Sequence, residues 1–219
     1  MYVAFIDWIP ELIWKGAGVT MPALITEALT TGTTLTPDTV STYLHSTSCN
    51  SGMDRDNSCL QEIEKELSRL AQWGTMVIFD YITSNHDRAS GLTETSSHVR
   101  NLQQTTDGKL WLLDNEAGFF HSYQLIHRGS TTGIRLQRAH LRHLRSTCIF
   151  QRSLVRHLME FVRRGDPAGA LLAQVRMREP LFHHMTVDSD SRRLFVKLFS
   201  HRVFDVLEWI VHCRSMNSE

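Results

Sequence analysis

The sequence has no surplus of charge of either sign: 23 Lys and Arg stand against 23 Asp and Glu, for a formal net charge of zero. A chain made to hold a nucleic-acid backbone or an anionic membrane surface carries a positive field, so this balance argues against both as main partners. Basic stretches do occur at 135–152 and 156–164, but their Arg and His recur at helical spacing and read as a solvated helix face. No apolar run is long enough to span a bilayer, and the first residues lack the ordered basic flank, apolar core and cleavage site of a signal peptide. Taken literally, that predicts a cytosolic protein. Cys49, Cys59, Cys148 and Cys213 form neither a CxxC pair nor a Cys/His zinc spacing, so no metal cluster is expected. Their even number still permits disulfides, and the compartment stays open on these grounds.

What is present suffices for one compact domain or one large lobe: 42% of residues are hydrophobic, enough to bury a core. Residues 2–9 are nearly all apolar and aromatic, closed by Pro10, and predict a buried strand. A short helix is expected over 22–29, and Thr36-Pro37-Asp38 opens another with Pro at its first position. Residues 49–59 read as a polar loop; Asp54, Asp56 and Asn57 loosely resemble a calcium loop, but the required glycine and distal glutamate are out of place.

Ser58 and Gln61 make a capping box, after which Leu60, Ile63, Leu67 and Leu70 recur at helical spacing. That helix either continues through the apolar run 76–82 or breaks at Gly74, since periodicity alone does not separate helix from buried strand there. Asp107-Gly108 predicts a hairpin turn between strands near 99–102 and 109–113, leaving Asp114 at a strand end. From Leu136 onward the chain reads as helical. Leu154, Leu158, Phe161 and Val162 share a face, Gly165 ends that helix, Asp166-Pro167 starts the next and Pro180 stops it. A last helix covers about 190–213.

Two acidic motifs stand out, Asn85-His86-Asp87-Arg88 and Asp114-Asn115-Glu116-Ala117-Gly118, each led into by an apolar run. A carboxylate at a strand end beside one on a loop can divide labour, one holding a divalent cation and the other taking a proton from a nucleophile. Phosphoryl transfer needs that division, because its transition state is loose and highly charged. Asp87 would be the base and Asp114 the metal ligand. The plainer alternative is that these Asp and Asn cap nearby backbone groups at turns. Asp80 is a candidate structural contact to the first motif. The pairs His140/His143 and His183/His184 read as solvated or locally bonded helix histidines rather than metal ligands.

FDYITSNHDR followed by WLLDNEAGFFHSY resembles the catalytic segment of the four-jointed box proteins, atypical secretory-pathway kinases related to the Golgi casein kinase group. The likeness extends through Cys148-Ile149-Phe150 to Ile210-Val211-His212-Cys213, and residues 2–10 resemble the strand linking the two kinase lobes. The fold it implies is mainly α with a small β component, a kinase-like carboxy-terminal lobe without its amino-terminal lobe. Residues 1–72 would hold the linker strand and first helices, and 73–219 the catalytic loop, metal motif and helical tail. The resemblance further implies Asp87 as catalytic base, Asn85 and Arg88 shaping its loop, and Asp114 with Asn115 at the cofactor, ATP with Mn²⁺ or Mg²⁺ on Asp114. It implies Ser or Thr in cadherin repeats of the Fat and Dachsous type as acceptors, in the Golgi lumen or outside the cell, with effects on planar polarity and growth. Cys148 and Cys213 then fit as a disulfide pair; a pairing of Cys49 with Cys59 across their loop is left open, suggested by their proximity alone.

Two departures qualify that picture. Conventional protein kinases place an Asn five residues after the base, where this chain has Leu92. No glycine-rich loop, phosphate-pairing Lys or partnering Glu precedes the linker, so either the chain is a fragment or the protein has lost its nucleotide lobe. A non-catalytic, pseudokinase-like binding lobe is therefore the alternative, and a metal-dependent hydrolase using Asp87 and Asp114 a third reading.

Overall fold

The structure is a computed structural model, described here for residues 12–13, 19–47, 55–91, 98–99, 101–115, 117–163, 165–179 and 188–216. The expected strand at 2–9, the stop at Pro180, and His183 and His184 lie outside these residues. The described chain is mainly helical with a small antiparallel β component, as expected.

Two long helices form the spine. α3 (Arg55–Thr83) runs without a break through Gly74 and the apolar run, so the ambiguous segment is helix. It is buried on successive turns at Leu70, Trp73, Met76, Val77, Ile78, Tyr81 and Ile82, the i, i+3, i+4 recurrence of a core-facing helix. α9 (Ser189–Met216) lies against it with Phe195, Phe199, Val203, Val206 and Ile210. α3 begins three residues before Ser58, which is therefore inside the helix and not its cap. The loop expected through residue 59 accordingly ends earlier, and helical backbone at Asp56 and Asn57 removes the calcium-loop likeness.

Around the spine pack α1 (Ala23–Thr31), closed by the left-handed Gly32, and α2 (Pro37–Thr47), which starts on Pro37 as its first residue. Next come α6 (Thr131–Arg145), α7 (Arg152–Arg163) and α8 (Pro167–Arg178). α6 starts five residues before Leu136, on Ser130, whose side chain accepts from Gly133 N. Asp166 caps α8 in the same way through Gly169 N. A short helix α5 (Phe120–His127) follows the second acidic motif; periodicity over so short a segment did not announce it.

The strands are short. β1 (Leu12–Ile13), β4 (Leu102–Thr105) and β5 (Leu110–Leu112) form one antiparallel sheet in the order β1-β4-β5, with Leu12 opposite Thr105 and Leu102 opposite Leu112. β2 (Val19–Thr20) pairs with β3 (His98–Val99). The hairpin at Asp107-Gly108 thus joins 102–105 to 110–112. Its first strand starts three residues later than expected, because Val99 pairs with Val19 and the chain reverses at Asn101.

A strap at 147–150 ties the helical tail together. Cys148 and Cys213 form a disulfide with Cα atoms 5.3 Å apart, and Trp209 Nε1–H donates to the Thr147 carbonyl at 3.0 Å. Leu35 exchanges backbone bonds with Ser146 and Cys148 on the same strap. Cys59 is disulfide-bonded as well; Cys49 lies outside the described residues. No helix among the described residues is long and apolar enough to cross a membrane.

Candidate active site

The end of α3 sets the site's geometry. Asn85 N–H donates to Asp80 O at 3.0 Å and Ser84 N–H to Tyr81 O at 3.2 Å, the paired bonds that close a helix through a left-handed residue. That residue is Ser84, at φ 58°, where glycine is the usual choice. The turn delivers buried Asn85, whose Oδ1 accepts from Asp87 N at 3.1 Å and Arg88 N at 3.3 Å and so caps α4 (His86–Gly91). Asp87 therefore stands in the first turn of a short helix, where a loop was expected. Support comes from below, since fully buried His140 on α6 donates Nε2–H to the Asn85 carbonyl at 3.0 Å.

Arg88 joins the two acidic motifs. Its guanidinium is fully buried and all five N–H donors are taken. Nε and Nη2 bond Asp80 at 2.7 to 3.0 Å, and Nη2 reaches Asn115 Oδ1 at 2.6 Å. Nη1 bonds Leu113 O at 2.9 Å and Asn101 O at 3.3 Å. With no donor left over, Arg88 shapes the site without reaching a phosphate. Burial pushes the Asp80 carboxyl up to about 6, partly offset by the hydrogen bonds and charge of Arg88. Asp80 is thus a structural contact to the first acidic motif.

Asp114 follows β5, solvent-exposed and left-handed at φ 47°. Its carboxylate makes no hydrogen bond or ion pair among the described residues. Asn115, expected at the cofactor, is exposed; its Oδ1 accepts from Arg88, and its Nδ2 donates to Leu112 O at 3.2 Å. Beyond it, Ala117 O lies 2.9 Å from His86 Nδ1, which also lies 2.7 Å from Ser122 Oγ; Ser122 itself donates to Ala117 O. Phe119 N–H donates to Thr83 O at 2.6 Å. The Asp114 segment is thereby fastened at both ends to the α3–α4 corner.

Sequence reasoning missed Asn101. Its Nδ2 donates to Asp87 Oδ2 at 2.8 Å, while its carbonyl accepts from Leu113 N at 3.0 Å. The signal was weak: an Asn between Arg100 and Leu102, of the residue type that most readily takes a left-handed turn after glycine. Ser84, Asn101, Asp114 and Phe119 are the non-glycine residues of positive φ among the described residues, and all four border this site. Such conformations cost on the order of 1–3 kcal/mol each and gather at functional sites.

Among the described residues no group of three or more His, Cys, Asp and Glu is placed to hold a metal. His140 and His143 are buried rather than solvated, and His140 spends Nε2 on Asn85. Among the described residues of the two acidic motifs, Asp114 has the exposed carboxylate. It suits a hard cation such as Mg²⁺ or Mn²⁺, which is usually held by one or two carboxylates with substrate phosphates completing its shell.

The family profile described as the Four-jointed box protein middle domain matches residues 1–216. Human Four-jointed box protein 1 is 31% identical over 160 residues, covering 69% of this chain and 34% of the relative. Its Xiphophorus maculatus counterpart is 30% identical over 157 residues, with 68% and 34% coverage. The Drosophila melanogaster protein named Extracellular serine/threonine protein kinase four-jointed is 29% identical over 117 residues, with 48% and 18% coverage. The chain spans about a third of the length of the Four-jointed box protein 1 relatives it matches. No solved structure matches it.

Proposed function

Because this chain belongs to the four-jointed box family, we propose that it is the carboxy-terminal, catalytic-loop lobe of a Ser/Thr protein kinase. The observation that carries this reading is the fastening of Asp87 and the Asp114 strand end to one another through Arg88 and Asn101. The Drosophila relative, named an extracellular serine/threonine protein kinase, supports it. In this reading residues 1–72 lead from the inter-lobe linker into the first helices and 73–219 carry the catalytic part.

Asp87 accepts the proton of the acceptor hydroxyl, from a carboxylate oriented by Asn101 and raised on the Asn85-capped turn. Asp114 would hold Mn²⁺ or Mg²⁺ against the ATP phosphates. When bound, that ion neutralises charge developing on the transferred phosphoryl group. Arg88, Asn115 and His86 keep the two carboxylates in register, because transfer depends on positioning more than on covalent chemistry by the protein. The acceptors we propose are Ser or Thr in extracellular cadherin repeats of the Fat and Dachsous type, met in the Golgi lumen or outside the cell, with consequences for planar polarity and growth. The Cys148–Cys213 disulfide supports an oxidising compartment.

The test is phosphate transfer by the intact protein from ATP to a purified cadherin repeat, with and without Mn²⁺, in parallel with nucleotide binding. Transfer is expected, and Asp114→Ala should abolish both it and the metal-dependent part of nucleotide binding. Undiminished transfer by Asp114→Ala would contradict the metal assignment. No transfer under any metal would favour the non-catalytic binding lobe.

A further inference from the structure

In a conventional protein kinase the Asn five residues after the base lies on the catalytic loop and holds a second metal ion. Leu92 stands at that spacing here and has no amide to offer. An amide nevertheless reaches Asp87, from Asn101 at the reversal before β4. We propose that Asn101 is the positioning residue for Asp87, holding its carboxylate by an amide from the β segment and locking the base to the segment that carries Asp114. The proposal rests on the kinase reading above.

Three contacts converge on Asn101. Nδ2–H donates to Asp87 Oδ2 at 2.8 Å, which fixes the rotation of the carboxylate. The main-chain carbonyl accepts from Leu113 N at 3.0 Å, the residue before Asp114, and from Arg88 Nη1 at 3.3 Å, the residue after Asp87. One residue therefore touches the base directly and grips the neighbours of both acidic groups. Its φ of 53° lies in the left-handed region, which Asn tolerates better than most side chains. Backbone and side chain thus ask for different things. Glycine satisfies the first alone, whereas Asn satisfies both.

That separation supplies the test. Asn101→Gly keeps the turn and the carbonyl bonds but removes the amide. It should retain the thermal midpoint and the Mn²⁺–ATP affinity of the intact protein while kcat falls about a hundredfold, the scale of loss that misorientation of a catalytic group produces. Asn101→Ala, which strains the turn as well, should lose the same rate and also unfold at lower temperature. In an Asp87→Asn background, Asn101→Gly should remove no further activity, since its effect runs through Asp87. Wild-type turnover in Asn101→Gly, while Asp87→Asn is inactive, would overturn this proposal alone. An equal further loss in the Asp87→Asn background would assign Asn101 a general structural role and overturn it too. Full activity in Asp87→Asn would remove the kinase reading, and this proposal with it.

Discussion

His140 lies fully buried beneath the α3–α4 corner, and its environment keeps the imidazole neutral. Burial, then the neighbouring Arg202 charge, pushes it down to about 3 from an ordinary 6.5, although the Asn85 carbonyl bond favours the charged form. The unfolded chain therefore binds a proton below pH 6.5 that the native state refuses. This part of the stability is complete above pH 6.5 and is lost as pH falls toward 3. Between pH 7 and pH 5 it amounts to about 2 kcal/mol. Asp80 runs the other way. With its carboxyl raised to about 6 from 3.8, the native state holds a proton that the unfolded chain has released, so this contribution is complete below 3.8 and lost as pH rises through 6. Between pH 5 and pH 7 these two contributions oppose one another. His140→Gln keeps an N–H for Asn85 and removes the titration, so urea unfolding of this variant at pH 7 and pH 5 should show about 2 kcal/mol less acid destabilisation than wild type. Identical slopes would mean that His140 is protonated in the native state.

At the scale of elements, Gly74 explains why α3 does not stop where a glycine invites it to. The helix passes the 147–150 strap there so closely that a Cβ at residue 74 would drive into the Ile149 carbonyl oxygen and crowd the Phe150 ring. Gly74→Ala should raise intrinsic helix propensity by about 1 kcal/mol and still destabilise the protein by about 1–3 kcal/mol, because backbone rather than a flexible side chain must yield. A thermal midpoint at or above wild type would show that the strap gives way. The same case shows where the sequence was legible. Proline at the start of α2, Asp166-Pro167 at α8 and the apolar stripes of α3 and α9 were readable because each is local chemistry. The helix at His86 was not, since Asn85 must turn inward to cap it. Asn101 and Asn115 were unreadable for the same reason: what they do depends on Asp87 and Arg88 arriving from another element.

For the whole molecule, a helical body presents one corner at which strained residues, a buried ion pair and two carboxylates meet. Replacing only one member of the Asp80–Arg88 pair would strand a charge in that body, a loss of about 3–5 kcal/mol for such pairs. The disulfide between Cys148 and Cys213 closes a loop with a sequence separation of 65, worth about 4 kcal/mol in the chain-entropy account. It holds the end of α9 against the strap, and α9 in turn holds α3 through Tyr81 O–H on Asp205 at 2.6 Å and Arg202 on the Tyr81 carbonyl. The spine is braced at the end from which Asp87 projects.

The most direct measurement is the turnover of Asp87→Asn in the intact protein, with Mn²⁺–ATP and a cadherin repeat, alongside its nucleotide affinity. Asn at position 87 keeps the size and most of the hydrogen bonding of Asp while losing its basicity. Turnover should therefore fall by about a hundredfold or more, with Mn²⁺–ATP still bound through Asp114. Near-normal turnover would contradict the assignment of Asp87 as the base.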